Sequence, residues 1–159
     1  MNAGPTLAKT VWTNADYDQM SWHDNEVHAI ALEPALPEPG RLLLDIDYIV
    51  QGVLAQPSSR LLSFWICPAT LVFDPAWDLT TDIDLRGWAF SLSLLSMQRS
   101  DPDERGNFDW TLEGGQFTIE LGALGFTQYL RRPPVYTSRA RLTTEERGGF
   151  SFDRQAYTL

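Results

Sequence analysis

The spacing of apolar and charged residues limits what this chain can fold into more than any other feature. Successive side chains of a β-strand point to opposite faces, so a strand with one buried face alternates apolar and polar residues. Residues 42–51 alternate in this way: one face carries Leu42, Leu44, Ile46, Tyr48 and Val50, and the other carries Asp45, Asp47 and Gln51. Residues 79–86 repeat the pattern. Because a helix would scatter these aspartates among leucines, both segments are predicted to be half-buried strands.

Strand-like segments recur along the chain. They are residues 26–33, 62–67, 70–74, 89–98, 108–113, 116–121 and 126–131, and residues typical of turns, such as the connector 56–59, separate nearly all of them. Helix is predicted only as short turns, over residues 16–21 and at a capping box that starts at Thr143. We therefore expect one mainly β domain over residues 1–159. Its predicted architecture is an antiparallel sandwich or partly open barrel of about 8–9 strands with one or two short helical turns.

Two adjacent glycines predict a β-hairpin. A two-residue turn at Gly114-Gly115 needs a positive φ at its centre, which glycine adopts without steric cost. This turn implies the cross-strand pairs Glu113–Gln116, Leu112–Phe117, Thr111–Thr118, Trp110–Ile119 and Asp109–Glu120. The last pair joins two carboxylates and is mildly destabilising unless a basic side chain such as Arg131 or Arg132 lies nearby.

Charge and cysteine content exclude several classes of partner. The formal net charge is −9, which disfavours DNA and RNA, because their binding rests on Lys and Arg that neutralise phosphates. The same charge favours a basic protein partner or a cation. The N-terminus does not have the pattern of a signal peptide, and no apolar run is long enough for a membrane span. Cys67 is the only cysteine and lies in an apolar run, so we expect a buried, unreactive thiol in a cytoplasmic protein without a membrane partner.

Both histidines lie in one short polar segment. Trp22, His23, Asp24 and Asn25 are followed closely by His28, which combines imidazole, carboxylate and amide groups. The simpler interpretation is a polar turn at residues 23–25, in which Asp24 and Asn25 accept hydrogen bonds from neighbouring amides. In a regular strand over residues 27–32, His28 would share the apolar face with Ile30 and Leu32.

A second acidic pair could complete a metal site. Asp45 and Asp47 are two residues apart on one strand, so their carboxylates are about 7 Å apart on the same face. Together with His23 and His28 they would offer suitable ligands for a divalent cation. Against this, His28 is predicted on the apolar face of its strand, whereas the two aspartates follow the polar face of theirs. An exposed sheet face with alternating acids therefore stays the alternative.

Motifs of common enzymes are absent from the sequence. The chain has no Gly-rich nucleotide loop, nucleophile elbow, HExxH motif or EF-hand calcium loop, and no cofactor is expected. Ser21 beside His23 is formally available as a nucleophile, but a catalytic triad is hard to assemble from two histidines in this setting.

Several segments resemble a family of small bacterial proteins of unknown function. The matching segments are residues 21–28, with the letters SWHDNEVH, 42–49 (LLLDIDYI), 68–73 (PATLVF) and 77–79 (WDL). The resemblance implies a bacterial, cytoplasmic, β-rich protein and assigns no catalytic residue. In being small and acidic the chain is also similar to immunity proteins of bacterial toxin systems.

Three functions stay open at the level of sequence. The first is a non-enzymatic protein-binding module, such as an immunity-like neutraliser, whose acidic face binds a basic protein. Exposed Trp77 or Trp88 would supply affinity, whereas Trp12, Trp65 and Trp110 are expected in the core. The second is a small-molecule or metal-binding protein, or a hydrolase, built on the His/Asp cluster. The third is a structural domain that forms homo-oligomers through open sheet edges. The candidate binding residues are Trp22, His23, Asp24, Asn25, His28, Asp45, Asp47, Trp77 and Asp78.

Overall fold

Nine antiparallel strands form one sheet in the computed structural model, which describes residues 3–54, 58 and 60–159. The strands are β1 (Val11–Thr13), β2 (Asn25–Ala35), β3 (Glu38–Leu54), β4 (Leu62–Ile83), β5 (Leu92–Arg99), β6 (Phe108–Gly114), β7 (Phe117–Ala123), β8 (Thr127–Leu130) and β9 (Val135–Thr137). A 3₁₀ helix spans Asn14–Gln19, and the α-helix α1 spans Thr144–Arg147. The predicted connector 56–59 lies outside the described residues, except for Ser58.

The order of the strands makes the sheet ring-like. Neighbours follow the order β1-β8-β4-β3-β2-β5-β6-β7, and β7 also pairs with the last part of β4, which completes the ring. β9 pairs with the first part of β4. The prediction of a mainly β, antiparallel fold with few short helical elements is confirmed, and the ring is not a barrel.

The inner face of the ring carries the hydrophobic core. Trp110 is at its centre, with ring centroids 5.3 Å from Phe73 and 5.7 Å from Phe126. Cys67 is fully buried, as predicted, and burial raises the pKa of its thiol to about 12, so it stays protonated at neutral pH. Of the tryptophans expected in the core, Trp110 is fully buried and Trp12 and Trp65 are half-buried.

One long strand replaces three predicted ones. Residues 62–67, 70–74 and the first part, 79–83, of the strand predicted at 79–86 belong to β4, which continues through Pro68 and Pro75, whereas residues 84–86 lie beyond its end. A proline lacks the N–H that a sheet ladder uses, so it is tolerated where pairing is irregular. Pro75 lies where the pairing of β4 with β3 shifts register, between the pairs Leu42–Phe73 and Gly40–Ala76. The three-residue strands β1 and β9 are not among the predicted ones.

Both predicted short helices form: α1 starts at the predicted capping box, and the turn predicted over residues 16–21 is a 3₁₀ helix over Asn14–Gln19. The Thr143 side chain accepts a hydrogen bond from the Glu146 amide, the Glu146 carboxylate accepts one from the Thr143 amide, and Gly148 ends α1 in the left-handed region with φ 77°. This is the geometry of a capping box and a glycine C-cap. The 3₁₀ helix, with six residues, is the longer of the two. In the described part of the chain, no helix has the length and apolarity needed to cross a membrane.

The β6–β7 hairpin forms, but its predicted register is wrong by two residues. Leu112 lies opposite Ile119 and Trp110 opposite Leu121, so the two-residue turn is Gly115-Gln116. Neither Gly114 nor Gly115 has a positive φ. A shift of two residues keeps every side chain on its predicted face, because the strand period is two. It also removes the predicted Asp109–Glu120 pair: these acids lie opposite Gly122 and Thr111.

Gly114 serves close packing rather than the turn. It lies in β6 opposite Leu94 of β5. A Cβ at this position would overlap the Phe117 ring and come within 2.6 Å of the Ser93 carbonyl oxygen, whereas a Cβ on Gly115 would meet nothing within 4 Å.

Substitution of the two glycines should therefore have unequal effects. Gly114→Ala is expected to lower the free energy of unfolding by about 1–3 kcal/mol, because the added methyl group overpacks the hairpin. Gly115→Ala should leave it nearly unchanged. Urea unfolding of the two variants measures the difference, and equal destabilisation would contradict this account of the turn.

Candidate functional site

A β-bulge brings His28 to the aspartates of β3. Val27 lies opposite Ile46, but Ala29 lies opposite Asp45, so His28 is an extra residue in β2. The bulge places the imidazole on the face that carries Asp47, and His28 Nε2 lies 2.8 Å from Asp47 Oδ2. The predicted placement of His28 with Ile30 and Leu32 is wrong, because alternation is interrupted wherever a strand holds an unpaired residue.

The aspartates themselves are fully buried. Asp45 and Asp47 have no exposed surface, although their strand face was predicted to be solvent-exposed in the simpler alternative. Residues 138–159, here called the C-terminal strap, cover that face. The strap amides of Leu142 and Ser151 donate to Asp47 Oδ2 and Asp45 Oδ2, at 2.7 and 3.0 Å. The strap therefore completes the hydrogen bonding of two buried carboxylates.

Two arginines neutralise the buried carboxylates. Arg147 of α1 donates to both oxygens of Asp45, at 2.7 and 2.9 Å, and its Nε donates to Asp47 Oδ1 at 3.2 Å. Arg131 donates to Asp45 Oδ1 at 2.7 Å and to the Thr70 hydroxyl at 2.9 Å. The cluster thus contains two carboxylates and two guanidinium groups. Arg147 is 3% exposed, so this is a buried ion network.

The pKa values of this network follow from burial and pairing. Burial lowers the pKa of Arg147, but hydrogen bonds and charge from Asp45, with a further contribution from Asp47, outweigh it and raise the pKa above the ordinary value. Both groups of the Asp45–Arg147 pair are therefore held in the ionised form. The cluster ties the strap to the sheet.

The arrangement does not offer a metal site. Every carboxylate oxygen of Asp45 and Asp47 already accepts at least one hydrogen bond from a protein N–H or contacts His28. Within the described ranges, no three His, Cys, Asp or Glu side chains are placed to hold a metal ion. Of the four candidate ligands, His28, Asp45 and Asp47 come together, and His23 does not join them. His23 is 65% exposed at its side chain and pairs with Asp24, at 3.0 Å.

The turn that holds His23 is separate from the buried cluster. Asp24 adopts a left-handed φ of 63° just before β2. Ser21 Oγ accepts a hydrogen bond from the backbone N–H of His23 at 3.4 Å, so the hydroxyl is turned to the backbone. This hydrogen bond to the backbone is not the contact that an activated serine makes with an imidazole.

Two further candidate residues have structural roles. The Trp22 side chain is 3% exposed and donates from Nε1 to Gln128 Oε1 at 2.8 Å. Asn25 is fully buried, and its Oδ1 accepts a hydrogen bond from the Ile49 amide at 3.2 Å rather than from a sequence neighbour. Neither side chain can contact a partner in this structure.

Trp77 and Asp78 lie on a different surface, which we call the acidic face. It is the outer face of β6, β7 and the end of β4. Three rows of residues cross these strands, and they are Glu113–Thr118–Asp82, Thr111–Glu120–Thr80 and Asp109–Gly122–Trp77. Asp78 follows Trp77 at a break in the β4–β7 pairing, with φ 50°.

The five carboxylates of the acidic face have no counter-ion among the described residues. Asp78, Asp82, Asp109, Glu113 and Glu120 are all exposed, and no ion pair to any of them is found in the described part of the chain. Residues 76–123 contain nine of the 21 acidic residues but three of the 12 basic ones. The acidic excess of the protein is therefore concentrated in this part of the ring.

An exposed apolar loop adjoins the acidic face. The aromatic loop, residues 84–91, joins β4 to β5 and leaves the sheet beside the β6–β7 turn, where the Asp84 amide donates to the Gln116 carbonyl. Its Trp88 and Phe90 are 94% and 77% exposed. The expectation that Trp88 is exposed is thus met, whereas Trp77 is half-buried.

Sequence reasoning missed four acids of this face: Asp82, Asp109, Glu113 and Glu120. Alternation puts each of them on the polar side of its strand. Their common surface depends on which strands are neighbours and on the register between them, and the predicted hairpin register placed Asp109 opposite Glu120.

No family model, no curated protein and no solved structure matches this chain. The resemblance to small bacterial proteins of unknown function consequently stays a prediction. Any function proposed for the chain depends on its own geometry.

Removal of Arg147, the central arginine of the buried ion network, should destabilise the protein strongly. Arg147→Gln leaves Asp45 with an uncompensated buried charge, and we expect the free energy of unfolding to fall by about 3–5 kcal/mol. Arg86→Gln is the matched control, because Arg86 pairs with Asp84 through a side chain that is 92% exposed. The control should show no measurable change. Urea unfolding compares the two, and similar effects would contradict the role of Arg147.

The stability of the protein in acid should depend on Asp45. Burial by itself would raise the pKa of Asp45, but hydrogen bonds from Arg147 and the Ser151 amide, with the charge of Arg131, hold it below the ordinary value. The stability that the ionised carboxylate contributes is therefore present above the unfolded pKa of about 3.9 and is lost as the pH falls through the folded pKa.

Unfolding free energies measured from neutral to acid pH test this. Wild type should lose more stability below about pH 4 than Asp45→Asn, whose residue 45 does not titrate. Other carboxylates titrate in both proteins, so the difference isolates Asp45. Parallel curves for the two proteins would show that Asp45 contributes nothing to the acid response.

Proposed function

We propose that this chain is a non-enzymatic protein-binding module whose acidic face binds a basic protein. The observation that carries the proposal is the set of five exposed carboxylates that share one sheet surface and form no ion pair within residues 3–54, 58 and 60–159. A surface of one charge sign attracts an oppositely charged partner and accelerates its association. As further parts of the proposal, the protein is bacterial and cytoplasmic and belongs to the family that its segments resemble.

The cost of this surface to the fold supports a functional role. Like charges on neighbouring strands destabilise a sheet, and Glu120 lies one row from each of Asp82, Asp109 and Glu113. Some exposed acids elsewhere are paired, as at Arg41–Asp74 with 2.7 Å and Arg154–Glu33 with 2.8 Å, whereas others, such as Asp18, form no ion pair in the described part of the chain but do not share one strand row with another acid. A repulsive surface that folding does not need is typical of a binding site.

The aromatic loop supplies what the carboxylates lack. Exposed charge contributes mainly to the rate and specificity of association, whereas large aromatic side chains supply affinity when a partner buries them. Trp88 and Phe90 lie on the loop that leaves the sheet at one end of the acidic face. A basic protein with an apolar patch beside its positive charge fits both features, and a basic toxin is one partner with this chemistry.

The proposal predicts that the position of the acids matters more than their number. The triple variant Asp82→Asn, Glu113→Gln, Glu120→Gln removes three of the five negative charges of the acidic face. A matched triple variant, Asp18→Asn, Glu38→Gln, Glu104→Gln, removes the same charge from exposed acids elsewhere. Calorimetric titration with a small lysine- and arginine-rich protein such as cytochrome c should show weaker binding for the first variant only, and binding should weaken with salt.

Equal loss of affinity in both triple variants would mean that only net charge attracts the probe, which contradicts a defined face. Absence of binding to wild type at low salt would contradict the proposal altogether. Light scattering on the same samples tests the alternative of a homo-oligomer, because self-association would raise the molar mass in the absence of any basic partner.

Neutralising the central acid should change stability and binding in opposite directions. Glu120→Gln relieves repulsion on the acidic face, so we expect the free energy of unfolding to rise by a few tenths of a kcal/mol. The same change should weaken binding of the basic probe. Urea unfolding and titration of one preparation measure both quantities. A variant that loses stability would show that Glu120 supports the fold.

A further inference from the structure

The acidic face contains a cleft beside Trp77. The cleft has a volume of about 360 Å³ and includes Trp77, Asp78, Thr80, Asp109, Glu120 and Gly122 in its lining. Three of these side chains are carboxylates on three different strand positions, and one is a large aromatic ring. The cleft is thus both acidic and aromatic.

The Trp77 ring fits in the cleft because residue 122 is a glycine. Gly122 lies opposite Trp77 on β7, and a Cβ at residue 122 would overlap the indole ring, with Cε2 at 2.6 Å and Cδ1 at 2.8 Å. The ring therefore packs directly on the backbone of β7. Asp109 is the β6 neighbour of Gly122, and Glu120 lies two residues before it, so carboxylates flank the ring.

We propose that this cleft accepts an arginine side chain of the basic partner, an inference that rests on the proposed function. A guanidinium group is planar, stacks on an aromatic ring and directs five N–H donors outward in its plane. In the cleft it could stack on Trp77 and donate to Asp78, Asp109 and Glu120. A lysine ammonium is more strongly hydrated and lacks a planar surface for stacking, so it fits this chemistry less well.

The same chain binds its own arginines in both of these ways. Arg147 is held between two carboxylates two residues apart on a strand, Asp45 and Asp47. Arg99 has its guanidinium carbon 4.3 Å from the ring centroid of Tyr17 and 4.9 Å from that of Phe108. The cleft combines the two kinds of contact, and no arginine of the described chain forms an ion pair with its carboxylates.

Acidity alone does not distinguish this place. The β5–β6 loop carries Asp101, Asp103 and Glu104, but Asp103 there accepts hydrogen bonds from the amides of Arg105 and Asn107 and shapes the loop. At the cleft the carboxylates surround an aromatic ring on an unpartnered sheet face. The charge and the shape together are complementary to a guanidinium group.

The test compares two peptides of equal charge. Hexa-arginine and hexa-lysine are titrated into full-length wild type at low salt, and we expect hexa-arginine to bind about tenfold more tightly. Trp77→Leu should abolish this preference by weakening arginine binding and leaving lysine binding unchanged. Phe150→Leu is the matched control, because Phe150 is an exposed aromatic residue of the C-terminal strap and does not line the cleft, and it should keep the arginine preference.

A second variant guards against misfolding. If circular dichroism shows that Trp77→Leu does not fold, Asp109→Asn replaces it, because Asp109 is exposed, and it too should reduce the arginine preference at least severalfold. Equal binding of both peptides, or a preference that survives these variants, overturns the arginine cleft and leaves the proposed function standing. Binding of neither peptide overturns both.

Discussion

The contact of Arg147 with Asp45 and Asp47 is the interaction on which the rest of the structure depends. Two carboxylates on the outer face of β3 would be intolerable under a covering segment without compensating charge. The guanidinium of Arg147 supplies that charge, and Arg131 and His28 complete the contacts. Residues 138–159, which have little secondary structure of their own, can therefore cover a sheet face that carries two aspartates.

The buried ion network and the acidic face use the same kinds of side chain in opposite ways. His28, Asp45 and Asp47 suggested a catalytic or metal-binding site, but in the structure their side chains form the contacts that attach the strap to the sheet. The five acids of the acidic face are left exposed and form no ion pair with the described residues, next to a loop with two exposed aromatic rings. In our proposal, the surface carboxylates bind a guanidinium group of another molecule as Asp45 and Asp47 bind Arg147 within the fold.

Much of the fold could be predicted because alternation reports directly on strands. The mainly β antiparallel class, the capping box at Thr143 and the buried thiol of Cys67 all follow from local sequence. Alternation fails where an extra residue enters a strand, and His28 occupies such a bulge. It also cannot reveal that Arg147 lies against Asp45, because 102 residues separate them and α1 is one turn long. An acidic face was predicted, but its members Asp82, Asp109, Glu113 and Glu120 were missed for the same reason, since their common surface depends on register across three strands.

Backbone amide chemical shifts, recorded while a basic peptide is titrated into the isotope-labelled protein, test the central claim most directly. The account predicts that shifts change along residues 77–82, 109–113 and 118–122, with smaller changes in the aromatic loop, while the amides of Leu142 and Ser151 stay unchanged. Changes centred on the C-terminal strap, or changes spread evenly over the surface, would contradict the claim that the acidic face is the binding surface.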